Sequence, residues 1–138
     1  MTAPTAPCRL VEVSGAEALW LLEGCSQGRL VHVQRGIPVI RPAVHVLAYG
    51  RLIVRTPVPA AVLADAASVT YHAEDIRTAA GTGWMLTVTG PPDVLDYRDD
   101  EAAHHRRTLT GWTHGPHDTL LRISPQTVTG FRIARGDA

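Results

Sequence analysis

The sequence of 138 residues contains no lysine and no asparagine, and its only cysteines, Cys8 and Cys25, form neither a C-x-x-C pair nor a zinc spacing. Without lysine there is no P-loop lysine, no Schiff base and no lysine general base. The whole cationic complement is arginine, thirteen residues against thirteen Asp plus Glu, so no net field draws the chain to nucleic acid. No apolar run approaches the ~20 residues of a bilayer-spanning helix, and the start MTAPTAPC has neither the charge nor the apolar core of a signal peptide. A cytoplasmic protein with two free thiols is the expectation. Hydrophobic residues make up 45% and charged residues 19%, which excludes a disordered chain and predicts a single domain over residues 1–138 with a flexible tail at 1–9.

What is present reads as β structure with short helices. Ser14-Gly15-Ala16-Glu17 has capping-box spacing and predicts a helix from Gly15 to about Glu23, stopped at Gly24. Apolar runs broken at Arg35-Gly36 and Tyr49-Gly50 predict successive antiparallel hairpins. A short helix follows within Val58–Ala66, then strands at SVTYHAE and GWMLTVTG with a loop between them. Acids at Asp99–Glu101 ahead of His104–Arg107 match a helix dipole, and TLLRIS and TVTGFRI close the chain as strands. About six strands and three short helices without a βαβ rhythm predict a mainly β fold, a six-stranded antiparallel split barrel with flanking helices.

Two stretches carry candidate chemistry. In IRPAVHV, a period of two separates Ile40, Val44 and Val46, suited to a barrel interior, from Arg41, Ala43 and His45, suited to an outer wall. Pro38 and Pro42 cannot donate to a ladder, which requires a bulge or an open edge there. In RLIVRT the arginines alternate with Leu52 and Val54, so Arg41 and Arg55 are expected on one outer face, with Thr56 at the strand end. A guanidinium fork and a hydroxyl suit phosphate, and the same pattern also suits solvated surface arginines. HGPHD at His114–Asp118 has the look of a metal motif, but a Gly-Pro loop preorganises ligands poorly, and no metal site is expected. Neither cysteine has an identifiable base, so no catalytic side chain is assigned.

Taken in order, GRLVHVQRGIPVIRPAVHV, IVRT with a short helix, GWMLTVTG and GWTHGPHDTLLRISPQTVTGFRI resemble the pyridoxamine 5'-phosphate oxidase-like proteins of the FMN-binding split-barrel type, over about residues 15–133. The resemblance implies a homodimer holding FMN between protomers and a flavin-dependent oxidoreductase. By position it implies Arg41, Arg55 and Thr56 at the phosphate and His45, Trp84 and Trp112 around the ring. A deazaflavin would satisfy the same anchors. The chain departs from the family pattern at Pro59 and Ala61, where Gly-x-Lys is usual, and at Val44, Met85 and His117. Those departures raise the alternative of a barrel that has exchanged FMN for haem or an apolar small molecule, or that serves as an accessory or assembly module.

Overall fold

A computed structural model describes residues 8–96, 98–110 and 117–135. The elements are β1 (Cys8–Glu12), α1 (Gly15–Glu23), β2 (Gln27–Gln34), β3 (Ile37–Ala48), β4 (Arg51–Thr56), α2 (Ala60–Ala64), β5 (Val69–Arg77), β6 (Thr82–Gly90), β7 (Pro92–Val94), α3 (Asp100–Thr108), β8 (Thr119–Ile123) and β9 (Thr127–Arg135). The strands form one antiparallel sheet in the order β1-β9-β6-β5-β2-β3-β4-β8-β7. The sheet curls, and side chains from β2 to β6 and β8 meet Ala18, Leu21 and Leu22 of α1 in one buried cluster.

Local chemistry explains the framework. The Ser14 hydroxyl accepts the Glu17 N–H at 3.1 Å, and the Gly24 N–H closes α1 on the carbonyls of Trp20 and Leu21. The reciprocal half of the capping box is absent: Glu17 Oε1 accepts from Arg132 at 2.8 and 2.5 Å, which ties α1 to β9. Both β2–β3 and β3–β4 turn through residue pairs with positive φ, Arg35 (54°) with Gly36 (75°) and Tyr49 (53°) with Gly50 (75°), the twist that a two-residue hairpin requires.

The mainly β class holds, with nine strands among the described residues rather than about six. Residues 8 and 9, assigned to a tail, belong to β1 on the edge of the sheet, where Cys8 pairs with Arg135. The loop expected between the fourth and fifth strands shrinks to Thr78–Gly81, because β5 runs on to Arg77 and β6 begins at Thr82, which also puts Glu74 and Asp75 inside a strand. Trp84, Leu86 and Val88 share a face of β6; Leu86 and Val88 are buried and Trp84 packs against the cluster.

The assignment of β3's two faces is reversed. Ala43 and His45 are buried in the barrel, whereas Ile40 (57% exposed) and Val46 (38% exposed) lie outside; Val44, on their face, is also buried (8% exposed) but is not part of the barrel cluster. Pro42 sits beyond the end of the β3–β4 ladder, which covers only Val44–Ala48, so β3 has the open side that its prolines require. A second, smaller cluster of Ile53, Leu95, Ala102 and Leu120 places α3 on the outer face of β4 and β8. On the outer face of β3 beside it, Val46 and Ile40 are exposed and Val44 is nearly covered.

Candidate functional site

The outer strip of β3 and the end of α3 frame a cleft of about 690 Å³, lined by Ser26, Gln27, Val44, His45, Val46, Thr108, Leu109 and Thr110. Its size falls in the range of small-molecule sites. Val44 and Val46 give it an apolar wall, and the β2 start and the α3 end give it polar rims. Gly24–Gly28 also has G-x-S-x-G spacing, a pattern not counted among the candidates above. It runs from α1 into β2, the reverse of the strand-to-helix elbow that exposes a nucleophile, and among the described residues no histidine is hydrogen-bonded to the Ser26 hydroxyl.

Arg55 stands at the edge of this cleft, because it pairs in register with Val44. Its Nε and Nη2 donate to the two Asp118 carboxylate oxygens at 2.9 and 2.8 Å, and its Nη1 donates to the carbonyls of Leu109 at 2.6 Å and Arg106 at 3.2 Å. The same carboxylate accepts from Arg106 Nη1 at 3.3 Å. Held mainly by the hydrogen bonds from Arg55, the Asp118 carboxyl titrates below the ordinary carboxylate value, and Arg55 is shifted upward by the same bonds. Arg106 Nε is buried with no partner among the described residues.

His45 belongs to the interior. Its Nε2 lies 2.9 Å from the Leu22 carbonyl and its Nδ1 meets the Tyr71 hydroxyl. A carbonyl can only accept, so Nε2 carries the proton and Nδ1 accepts from Tyr71. The Cys25 Sγ, 3.8 Å from Nε2, therefore finds no base there and donates to the Leu22 carbonyl at 3.4 Å. Burial pushes the His45 pKa down and the Tyr71 and Cys25 pKa values up, so all three groups stay neutral. The network is closed, leaving no activated nucleophile.

The other expected site residues are dispersed. Thr56 is 2% exposed and its hydroxyl donates to the Pro42 carbonyl at 2.9 Å, bracing the end of β4. Arg41 is paired in register with the buried Leu30, and Arg55 with Val44, so the two arginines project from opposite faces of the sheet. The expected shared face is thereby overturned, since a period of two leaves no other outcome for a continuous register. Arg41 instead lines a separate cleft of about 450 Å³ with Arg29, Pro42 and His72. Trp84 lines a third, of about 650 Å³, with Trp20 and Cys25. Trp112 and His114 fall outside the described residues. Among those described, no group of three or more His, Cys, Asp and Glu side chains gathers as metal ligands.

Arg106 and Asp118 were missed. Asp118 was read only as the carboxylate of HGPHD, although a lone acid directly before a strand that pairs with the Arg55 strand is a natural partner for that arginine.

The pyridoxamine 5'-phosphate oxidase family model matches residues 14–132. The chain belongs to that family. The protein Rv0080 of Mycobacterium tuberculosis is 36% identical over 139 residues, covering 95% of this chain and 90% of that one. The FAD-binding protein of Mycobacterium smegmatis is 26% identical with a TM-score of 0.69, covering 91% of this chain and 100% of that one. A FAD-binding protein of Mesorhizobium loti shares the fold at 16% identity and a TM-score of 0.71, over 94% of this chain and 100% of that one. Within this pyridoxamine 5'-phosphate oxidase family member, the β3–α3 cleft is the candidate site. Its lining fits a flavin through a valine wall that suits a flat ring, and Arg55, which donates to the Leu109 carbonyl of that lining, is a neighbouring guanidinium suited to an anion.

Proposed function

We propose that the protein binds a flavin, FMN by preference, in the β3–α3 cleft and acts as a small oxidoreductase. The single observation that carries this reading is the cleft itself, a valine-walled pocket whose lining residue Leu109 accepts a hydrogen bond from the neighbouring Arg55, in a chain of this family. The likeness to the M. smegmatis FAD-binding protein supports the cofactor class. Val44 and Val46 would pack the ring, polar groups of Ser26, Gln27 and Thr110 would meet its edge, and Arg55 with Arg106 would hold the anionic end. When bound, the flavin supplies hydride transfer, which is why no protein nucleophile is needed.

A second copy of the chain completes the site in this proposal. Val33 and Ile40 are 66% and 57% exposed on the β2–β3 hairpin, on the same face as the Val44 and Val46 wall. That is an apolar face of the kind that homodimers bury. Across the interface a partner copy would bring the Trp84 side to the ring, a juxtaposition that the described residues of one protomer do not make. Two unpaired thiols suit a reducing cytoplasm.

Visible absorption of the purified protein, followed by titration with FMN, tests the reading: a flavin spectrum or saturable quenching of flavin fluorescence is expected, and protein that ignores FMN rejects it. Sedimentation of Ile40→Asp tests the interface, with conversion to monomer expected and an unchanged dimer counting against this face. A second reading, a barrel carrying haem or an apolar ligand, is favoured by the neutralisation of Arg55 by Asp118, and a Soret band would select it.

A further inference from the structure

We propose that the Asp118 carboxylate is an internal substitute for the ligand's anion: it occupies the Arg55 and Arg106 forks at the edge of the β3–α3 cleft, and a phosphate-bearing ligand displaces it. The proposal rests on the reading of that cleft as a flavin site and deepens it.

Carboxylate and phosphate are recognised by guanidinium in the same bidentate manner. Asp118 makes that arrangement with Arg55, at 2.8 and 2.9 Å. It serves Arg106 less well, through Oδ2 at 3.3 Å and its own backbone carbonyl at 3.5 Å. Two guanidinium groups thus share one carboxylate, and among the described residues no other carboxylate is hydrogen-bonded to either. The cluster carries one surplus positive charge, and the buried Arg106 Nε has no described partner. A phosphate monoester, with about −1.5 to −2 charge and three acceptor oxygens, can answer both forks where one carboxylate cannot.

The arrangement also determines which part leaves. Arg55 remains anchored without Asp118, because its Nη1 donates to the Leu109 and Arg106 carbonyls. Leu109 lines the cleft, so this anchor fixes the guanidinium against the site. The Asp118 side chain is twice as accessible, 34% against 17% for Arg55. The carboxylate is therefore the more accessible partner, and the arginine the one with anchors besides the pair. While Asp118 holds the fork, apparent affinity for a phosphate falls by the fraction of protein in which the fork is free.

The test compares FMN with riboflavin, which differs by the phosphate, on the full chain. Dissociation constants come from flavin fluorescence quenching for the wild type, Asp118→Asn and Arg106→Gln. Asparagine keeps the side-chain shape and one acceptor but removes the competing charge. Asp118→Asn is expected to bind FMN about tenfold more tightly, with riboflavin changed by less than about twofold, and Arg106→Gln to weaken FMN selectively. Unchanged or weaker FMN binding by Asp118→Asn, or an equal change for riboflavin, overturns the proposal while leaving the flavin reading in place. Thermal melting with inorganic phosphate supplies the arm that needs no flavin. If neither flavin binds any variant and phosphate still raises the melting temperature of Asp118→Asn more than that of the wild type, the flavin reading fails and this inference stands. If phosphate also acts equally on both, the inference fails too.

Discussion

His45 and Arg55 come from adjacent paired strands and meet opposite fates. His45 pairs with Val54 and points into the barrel, 3% exposed, where every ring nitrogen is matched by one neutral partner. Arg55 pairs with Val44 and points outward, where its charge is balanced by a carboxylate that is itself shared. One-residue alternation thus separates a closed, neutral, structural network from an open, charged one with donors to spare. The contrast locates chemistry on the outer face: a satisfied buried group has nothing left to offer a ligand, whereas an over-supplied cationic fork does.

The strongest challenge to the interior half is Gly28→Ala. A Cβ at Gly28 would lie 2.6 Å from the Tyr71 ring and hydroxyl and from the His72 carbonyl, so β2 passes Tyr71 with no room for a side chain. Backbone on one side and a ring locked to His45 on the other leave nothing cheap to move. A loss of about 3 kcal/mol is expected, read as a lower urea midpoint. A change under about 0.5 kcal/mol would mean that the strand shifts freely and that the network is not the rigid element described.

Tyr71→Phe comes next. It keeps the ring and removes the one donor to His45 Nδ1, leaving a buried acceptor unpaired at a cost of about 1–3 kcal/mol. Affinity for any ligand of the outer cleft should be untouched. If ligand affinity fell with stability, the division between the two faces would be wrong.

Acid sharpens the same division. Burial lowers the pKa of His45, and burial together with Arg41 lowers that of His32, both from the ordinary 6.5. The unfolded chain then takes up protons at higher pH than the folded one, so this stability is present above about 6.5 and is lost as the pH falls towards the depressed folded values. Asp118, also depressed but from 3.8, contributes stability that is present throughout this range and is lost only as the pH falls below about 3.8. Urea midpoints at about pH 7.5 and 5.5 should therefore drop for the wild type and differ less for a His32→Gln, His45→Gln double variant. An equal drop in both would place the sensitivity elsewhere.

These experiments probe what the sequence could not convey. The hairpins were legible because Arg35-Gly36 and Tyr49-Gly50 announce two-residue turns, and α1 because Ser14 and Gly24 bracket an apolar stretch. The β3 faces were not legible, because valine, alanine and isoleucine occur on both, and a period of two fixes only which residues go together. With both faces apolar, nothing anchors the phase, and choosing Ile40, Val44 and Val46 as the inside placed Arg41 beside Arg55. Likewise β1 and β7 lie at the sheet edges, where five and three residues carry little pattern of their own. The Arg55–Asp118 pair joins residues 63 positions apart, a distance over which only the β4–β8 ladder brings them together.

The smallest expected stability effect concerns that pair and gives the comparison its sharpest form. Asp118→Asn removes a partly exposed ion pair, for which about 0.5–1 kcal/mol is the ordinary loss once solvent screening is counted. Arg55 keeps its two carbonyl acceptors, so the guanidinium stays anchored and the loss stays small. Were Asp118 purely structural, its removal would lower stability and leave a phosphate ligand with a less ordered fork, so both quantities would fall together. If instead it competes with the ligand, stability falls slightly while affinity rises. Opposite signs from one substitution, read by urea denaturation and by phosphate-dependent binding on the same preparation, distinguish a site held in waiting from a salt bridge that merely ties α3 to the sheet.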